Sequence, residues 1–301
     1  MSFSIQPGEV FALVGESGCG KTATALSIMG LIPRRMGRVV KGEVFFGDEE
    51  LLTIRPERLR QIRGDRIAMV FQEPTLDPTS RIGDQIAEVI RAHRDLSRRQ
   101  AGEQAVELLE VVGIPGAAQR ARDYPHQFSG GMRERAMIAM ALSLRPDLLI
   151  ADEPTTALDV TIQAQILELL IDLRLQFGMA VLLITHDLGL VAGFAQRVMV
   201  MYAGRKAEEA DVRSLYRRPR HPYTYGLLAC TTRLDRSRPE RLPQILGSPP
   251  SLIDPAPTCH FAPRCPCAQD VCRQLLPQLL EVDPGHVAAC HFAQDDRWTP
   301  C

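Results

Sequence analysis

The 301-residue sequence has no long apolar run. Its uninterrupted hydrophobic segments fall well short of the roughly 18 residues that a helix needs to span a bilayer. The first ten residues, MSFSIQPGEV, contain neither the basic segment nor the apolar segment of a secretion signal. We therefore expect a cytosolic, soluble chain that could still dock on an integral membrane protein.

The sequence also lacks an excess of charge of either sign. It contains 35 Lys and Arg against 36 Asp and Glu, a formal net charge of -1. A chain this close to neutral has no global field to attract nucleic acid or an anionic membrane. Heptad repeats, which would indicate coiled-coil arms, are missing as well. We therefore expect partners to be recognised locally, and we expect no nucleic-acid partner.

Five short apolar segments predict strands that are covered on both faces, as in a parallel sheet. They are residues 10–14, 67–71, 148–151, 181–184 and 198–202. Residues 160–177 repeat apolar side chains on one helical face, so strands and helices alternate in this part of the chain. The pattern predicts an α/β fold.

Composition divides the chain into regions. Residues from about 83 to 145 resemble helix without strand, and Ser97 with Gln100 predicts a capping box there. After residue 202 the sequence becomes rich in Arg and Pro, with RRPRHP at 217–222 and GSPPSLIDPAP at 247–257. These proline runs fit stiff connectors or irregular surface loops. We predict a domain at 1–210 with a helical subdomain at about 83–145, and a C-terminal extension at 211–301.

The segment GESGCGKT follows the first predicted strand and precedes a predicted helix, which is the context of a phosphate-binding P-loop. Backbone N–H groups of such a loop surround phosphates at the N-terminus of a helix. In this pattern Lys21 reaches the β- and γ-phosphates and the Thr22 hydroxyl ligates Mg²⁺. The sequence therefore predicts nucleoside triphosphate binding by Gly15, Glu16, Ser17, Gly18, Cys19, Gly20, Lys21 and Thr22.

Two acidic residues, Asp152 and Glu153, end the predicted strand in LLIADEP, residues 148–154. A buried carboxylate is costly unless it is paired or coordinates metal, so Asp152 fits a Mg²⁺-binding acid. Glu153 fits a general base that orients and deprotonates the attacking water. The alternative is a pair of solvated loop acids.

The sequence SGG at Ser129, Gly130 and Gly131 opens a further predicted helix. Serine is an ordinary N-cap, and that alone explains its presence. The glycines, however, leave N–H groups bare at the positive end of the helix, which suits a second phosphate contact.

Five of the eight cysteines lie between residues 259 and 290. Four of them, Cys259, Cys265, Cys272 and Cys290, have the spacing C-x5-C-x6-C-x17-C. Four thiolates could close a tetrahedral zinc site or hold a [4Fe-4S] cluster, and this spacing does not choose between them. Free buried cysteines are the alternative, and Cys267 does not fit the spacing.

These motifs, with Gln72, ALD at 157–159 and the lone His186, resemble in order and spacing the ATP-binding subunits of ABC transporters. YPHQFSGGMRER, DEPTTALDVT, HPYTYGLL at 221–228 and the late cysteines look like the dipeptide and oligopeptide importer branch. A related branch handles nickel, so the cargo stays open between these. The resemblance implies a P-loop NTPase fold and favours an iron–sulfur cluster over zinc.

The resemblance also implies roles for residues whose own pattern does not decide them. Gln72 contacts Mg²⁺ or the attacking water, and His186 contacts the γ-phosphate. By itself His186 would be interpreted as a buried core histidine. The residues that reach a second ATPase subunit are Ser129, Gly130, Gly131 and Asp159.

The implied partners are a second ATPase subunit, identical or a sibling, two membrane permease subunits and, indirectly, a periplasmic or extracellular peptide-binding protein. The implied location is the cytoplasmic face of the inner membrane, as a peripheral protein. Two other functions stay open: a soluble ABC ATPase acting on nucleic acid, and a truncated nucleotide-binding remnant with weak activity.

The chain departs from the family pattern near its start. Members usually have two further strands and an adenine-stacking aromatic residue ahead of the segment that matches Met1. Phe3 lies too close to the P-loop for that role, so we name no adenine-stacking residue. The segment after Gln72 is also about two residues shorter than its family counterpart. We therefore expect a mostly parallel sheet without the N-terminal strands.

Overall fold

The computed structural model describes residues 1–33, 35, 37–73, 75–155, 159–230 and 244–295. The strands are β1 (Val10–Val14), β2 (Phe45–Phe46), β3 (Glu49–Glu50), β4 (Ile67–Val70), β5 (Leu148–Asp152), β6 (Ala180–Thr185), β7 (Arg197–Tyr202), β8 (Arg205–Asp211), β9 (Leu280–Asp283) and β10 (His286–Ala288). The helices are α1 (Lys21–Ile28), α2 (Pro56–Asp65), α3 (Ile82–His93), α4 (Arg98–Val111), α5 (Ala117–Arg120), α6 (Gly130–Leu142), α7 (Val160–Phe177), α8 (Leu188–Val191), α9 (Val212–Arg217), α10 (Pro222–Cys230) and α11 (Asp270–Gln274).

The chain forms two compact units. The first, which we call the P-loop unit, comprises residues 1–5, 10–21 and 183–301, and the second, the helix-rich unit, comprises residues 6–9 and 22–182. Within the described residues of both units, no helix is long and apolar enough to cross a membrane.

The P-loop unit contains a run of five strands in the order β1-β7-β8-β10-β9. β1 and β7 pair in parallel, with Phe11 opposite Arg197, whereas β8, β10 and β9 continue in antiparallel pairing. Every residue of β1 is buried, which explains its unbroken apolar sequence. The ring of Phe3 stacks on that of Phe11 at 5.4 Å, so the first aromatic residue of the chain packs against the core.

The helix-rich unit pairs β4 with β5 in parallel, from Ile67 opposite Leu148 onward. Residues 82–142 contain helices α3 to α6 and no strand. The predicted capping box is present at the start of α4, where the Ser97 side chain accepts a hydrogen bond from the Gln100 N–H and the Gln100 side chain accepts one from the Ser97 N–H. The helix α7 begins and ends at the predicted residues because Asp159 caps its N-terminus and Gly178, with φ +68°, ends it.

These elements confirm the predicted α/β class, with parallel strands in both units. All five predicted strands are found, and no bound differs from the prediction by more than one residue. Residues 1–9 contain no strand ahead of β1. The antiparallel strands β8, β9 and β10 were not predicted, and the assignment of domains at 1–210 and 211–301 stays a prediction.

Candidate functional site

The loop between β1 and α1 has a shape that requires glycine. A Cβ atom added at Gly15 would lie 2.3 Å from the Met201 carbonyl oxygen, far inside contact distance. Gly18 and Gly20 have φ of +79° and +106°, a region that residues with a Cβ rarely adopt. The predicted P-loop is therefore built by backbone geometry, with Ser17 and Gly18 exposed at its outer turn.

Lys21 is the first residue of α1 and is almost fully buried. Its Nζ donates hydrogen bonds to the carbonyl oxygens of Gly15, at 2.8 Å, and Glu16, at 3.2 Å. Thr22 follows in the first helical turn and is exposed. The loop thus presents an ammonium group and a hydroxyl group beside a helix N-terminus, an arrangement that binds phosphate.

Cys19 stands inside this loop and is buried. Burial raises the pKa of its thiol, and the nearby Lys21 lowers it by a smaller amount. The thiol is therefore neutral near pH 7 and adds no negative charge to a site that must accept phosphate. Its carbonyl oxygen accepts a hydrogen bond from the Gly204 N–H at 2.9 Å.

The two strand-end acids are both buried. Asp152 ends β5 with 1% of its surface exposed, and Glu153 follows with 8% exposed. Glu153 has φ +48°, a left-handed conformation that costs a non-glycine residue about 1–3 kcal/mol and that concentrates at functional sites. The alternative of two solvated loop acids does not describe these side chains.

Gln72 lies beside Glu153. The Gln72 side chain is exposed, and its Nε2 donates to Glu153 Oε2 at 3.5 Å, the outer limit of a hydrogen bond. The structure therefore brings together two residues that are 81 positions apart. Glu153 is the predicted base for the attacking water, and Gln72 is the residue that the resemblance places on Mg²⁺ or on that water.

The SGG segment opens α6, as predicted. The Ser129 hydroxyl accepts a hydrogen bond from the Met132 N–H at 3.3 Å, which makes it the N-cap. Ser129 and Gly130 are exposed. A Cβ at Gly131 would lie 3.0 Å from Ile162 Cγ2, so glycine allows the first turns of α6 and α7 to approach closely.

Asp159 is exposed at the start of α7, where its carboxylate accepts a hydrogen bond from the Ile162 N–H at 3.0 Å. The rest of the predicted ALD motif, at 157 and 158, lies outside the described residues. Through the contact between Gly131 and Ile162, the predicted phosphate-contacting segment and Asp159 lie at neighbouring helix N-termini.

His186 follows the last residue of β6 and is exposed, so it is not the buried core histidine that its sequence context alone suggests. Its place just beyond the carboxyl end of a buried strand is where ligands bind in α/β proteins.

The four spaced cysteines line one cavity of the P-loop unit. The residues around it include Cys259, Cys265, Cys267, Cys272, Cys290, His221, Phe261 and Phe292. Burial raises the pKa of Cys259 and Cys265, and it raises the pKa of Cys290 to about 12, with smaller contributions from the neighbouring thiols. Within the described ranges, however, no group of three or more Cys, His, Asp and Glu side chains is arranged to hold a metal ion.

Two contacts of the P-loop were not predicted. Arg264, in the cysteine-rich segment, forms an ion pair with Glu16, and Tyr223, in α10, accepts a hydrogen bond from the Glu16 N–H. Tyr223 belongs to the HPYTYGLL segment, and Arg264 lies between the spaced cysteines Cys259 and Cys265. Neither pattern indicates what these two residues contact.

Comparisons with known proteins agree with these motifs. A family model described as ABC transporter matches residues 1–156, and one described as the oligopeptide/dipeptide transporter C-terminal region matches residues 207–272. The probable peptide ABC transporter ATP-binding protein y4tR of Sinorhizobium fredii is 53% identical over 292 residues, which cover 96% of this chain and 87% of that protein. The dipeptide transport ATP-binding protein DppD of Bacillus subtilis is 48% identical over 299 residues, 99% of this chain and 89% of that protein.

A solved structure has a similar fold. It is a dimeric, post-hydrolysis state of an ATP-binding cassette bound to ADP and Pi. The similarity has a TM-score of 0.63 at 28% identity and covers 70% of this chain and 88% of that one.

Proposed function

This chain belongs to the ABC transporter family, and from that premise we propose that it is the ATP-hydrolysing subunit that energises import of dipeptides or oligopeptides through a membrane transporter. Its activity is ATP hydrolysis. The peptide cargo is supported by the match of residues 207–272 to the peptide-transporter C-terminal region and by the relatives that are described as peptide or dipeptide transporters. The observation that carries the proposal is the glycine-dependent P-loop with its buried lysine.

In this function the P-loop holds the phosphates of ATP. We assign this role to Gly15, Gly18, Gly20 and the Lys21 ammonium group, supported by the positive φ of two of these glycines and the buried position of Lys21. An ammonium group that already donates to two loop carbonyl oxygens can exchange those bonds for phosphate oxygens.

Mg²⁺ is expected for an ABC ATPase, and the donor set suits it. Mg²⁺ prefers oxygen ligands, and in nucleotide sites it usually keeps several waters and binds one or two carboxylates together with the phosphates. The exposed Thr22 hydroxyl, the buried Asp152 carboxylate and the Gln72 amide oxygen would hold it. When bound, the ion neutralises negative charge that develops on the phosphate oxygens.

Glu153 is the proposed general base. Glu153 is buried in a constrained backbone conformation, and the Gln72 amide lies beside its carboxylate. A water that contacts both groups would be oriented by Gln72 and deprotonated by Glu153. His186, exposed beyond β6, is proposed to contact the γ-phosphate.

We propose that a second ATPase subunit completes the site. Ser129, Gly130 and Asp159 are exposed, and they stand at the N-termini of α6 and α7, where N–H groups favour an anion. ATP bound between two such subunits would draw them together, and loss of the γ-phosphate would let them part. This motion would be passed to two permease subunits through the segment after Gln72, with the chain bound at the cytoplasmic face of the membrane.

For the cysteine-lined cavity we propose a [4Fe-4S] cluster, with Zn²⁺ as the alternative. The chemistry of the donor set supports this, because four thiols line one cavity. Among the described residues the thiols do not form a closed metal site, so this proposal rests on the donor types and on the resemblance. Iron, zinc and acid-labile sulfide measured in anaerobically purified protein decide between the two metals.

The direct test of the proposed function is Glu153→Gln. This variant should bind MgATP with the affinity of the unchanged protein, because the amide keeps the shape of the side chain. Its turnover should fall by about 100-fold or more, since a positioned general base contributes roughly that factor. Nucleotide affinity by calorimetry and single-turnover hydrolysis are measured on the same sample. Hydrolysis at the unchanged rate would remove Glu153 from its role.

A further inference from the structure

The side chain of Glu16 in the P-loop is held by a residue 248 positions away. Arg264 Nη1 lies 2.6 Å from Glu16 Oε2, and Arg264 Nη2 lies 2.9 Å from Glu16 Oε1. The Arg264 side chain is 5% exposed and that of Glu16 is 27% exposed. This is a bidentate ion pair, largely removed from water, and it is directional because both groups are planar.

Every donor of the Arg264 guanidinium group has an acceptor. Beyond the two bonds to Glu16, Nε donates to Leu246 O at 3.0 Å, Nη2 to Ile245 O at 3.3 Å and Nη1 to Tyr202 Oη at 3.4 Å. A guanidinium group has five N–H donors, and here all five are used. The arginine therefore has one well-defined position, which it imposes on Glu16.

The backbone of Glu16 is held separately. Its N–H donates to Tyr223 Oη at 2.9 Å. The Tyr223 ring packs against Phe261 at 5.4 Å and against Tyr202 at 4.5 Å between ring centroids. Two residues of the segment 259–265, Arg264 and Phe261, thus act on the same P-loop residue, one through its side chain and one through the tyrosine that binds its backbone.

The same short segment lines the thiol cavity. Arg264 ends a 3-10 turn at Ala262–Arg264 and directly precedes Cys265, while Cys259 precedes the turn. The turn is closed by hydrogen bonds from the Ala262 N–H to Cys259 O at 3.0 Å and from the Cys265 N–H to Ala262 O at 3.4 Å. One turn of chain therefore presents thiols on the cavity and a guanidinium group to the P-loop.

We infer that Arg264 is a positioning residue for ATP binding, because it fixes Glu16 and thereby the start of the P-loop. It therefore couples nucleotide affinity to the conformation of residues 259–290, which we call the cysteine segment. The inference rests on the proposed function, because it requires that the P-loop binds ATP. A loop that is already ordered loses less conformational freedom when the phosphates bind, and this raises affinity. Coupling of this kind is reciprocal, so bound nucleotide must also restrain the cysteine segment.

The test compares Arg264→Met with Arg217→Met in the full chain. Arg217 ends α9 in the same unit and is exposed, so it is the matched control for loss of one arginine. We expect Arg264→Met to raise the Kd for MgATP about tenfold, a factor typical of a coupling between sites. Arg217→Met should leave the Kd unchanged. Calorimetry gives the affinities, and circular dichroism establishes that each variant is folded.

A second readout distinguishes positioning from general stability. The labelling rates of Cys259 and Cys265 by N-ethylmaleimide are measured by mass spectrometry, with and without MgATP, at the same iron and zinc content. In the unchanged protein and in Arg217→Met, MgATP should slow labelling. In Arg264→Met that protection should be weaker even at saturating nucleotide, because the side-chain contact to Glu16 is lost and only the contact through Tyr223 remains.

A third variant changes Glu16, the P-loop partner of the ion pair. Glu16→Gln keeps the length of the side chain and removes its charge, and it should weaken MgATP binding without adding to the loss caused by Arg264→Met, since both changes break one interaction. Arg264→Lys should recover part of the affinity. If Arg264→Met does not fold, Glu16→Gln and Arg264→Lys carry the same test.

The outcomes separate the two proposals. Failure of the unchanged protein to bind MgATP overturns the proposed function itself. A different result overturns only the role of Arg264: the unchanged protein binds MgATP normally, and Arg264→Met has an unaltered Kd and retains thiol protection. Where Glu16→Gln is used instead, the same result in that variant has the same meaning. The proposed function then stands.

Discussion

The P-loop and the cysteine segment of the same unit are constructed in opposite ways. In the P-loop, eight consecutive residues form a site whose shape is set by glycine backbone geometry, and its side chains matter at few positions. The cysteine segment assembles its cavity from side chains spread over residues 259–290, with little regular structure between them. The P-loop depends on residues that have no Cβ atom, whereas the cysteine cavity depends on the sulfur atoms that its side chains contribute.

The two regions also differ in how they tolerate a small added group. Gly15→Ala places a methyl group against the Met201 carbonyl oxygen, so the loop must shift. We expect MgATP affinity to fall about 100-fold, the size of loss that a misplacement of about 1 Å can cause at an active site. The measurement is calorimetry with MgATP.

The matched control is Gly285→Ala, in the turn between β9 and β10 of the cysteine segment. Gly285 has φ +73°, but a Cβ there would meet no atom within 4 Å. That variant should lose about 1–2 kcal/mol of unfolding free energy from the backbone conformation and keep its MgATP affinity. Equal effects of the two changes on nucleotide binding would contradict the contrast between the two regions.

Glu134, a buried acid outside both regions, shows how much stability is lost when a carboxylate is buried without an ion-pair partner. Glu134 in α6 is 5% exposed, and its Oε1 has no hydrogen-bond partner among the described residues. Burial raises the pKa of this carboxyl group from 4.5 to about 7. The folded state therefore favours the protonated form, and the chain loses stability as pH rises from about 4.5 to about 7.

Glu134→Gln should remove this loss. The gain in unfolding free energy over the unchanged protein should be near zero at pH 4, grow through that window and level off above pH 7 at up to about 3 kcal/mol. Urea unfolding at several pH values measures it, with Glu107→Gln, an exposed acid on α4, as the control. A gain that does not depend on pH would show that ionisation of Glu134 is not its cause.

The smallest expected effect separates a helix cap from a functional segment. Ser129→Ala and Ser97→Ala each remove a side chain that caps a helix, so each should cost about 1 kcal/mol of unfolding free energy. Only Ser129→Ala should also lower ATP turnover in the assembled transporter, because Ser97 lies in no nucleotide motif. Thermal unfolding and an ATPase assay decide, and equal turnover in the two variants would assign Ser129 a capping role alone.

What the sequence could predict follows from how local each feature is. The P-loop, the strand-end acids and the SGG helix start are contiguous patterns in which neighbouring residues create the geometry, and the structure has them as predicted. Helix α7 was predicted to the residue because its cap, its apolar face and its terminal glycine all lie within one segment.

The features that were missed depend on pairing between distant residues. β8 contains Glu208 and Glu209, acids that argue against a buried strand, yet both are buried. Glu208 is satisfied by the N–H groups of Arg220, at 2.6 Å, and His221, at 3.0 Å, and by His286 Nε2 at 2.7 Å. No local sequence pattern predicts these three partners of Glu208, and none predicts the ion pair between Arg264 and Glu16.

The close approach at Gly15 has a consequence for how this gene can change over time. Every single-base change that alters a glycine codon yields a stop or a residue with a Cβ, and any Cβ at position 15 would overlap a main-chain oxygen that cannot rotate away. Random mutagenesis with selection for transport should therefore leave position 15 invariant. At position 285 the neighbouring space is open, and alternatives should survive.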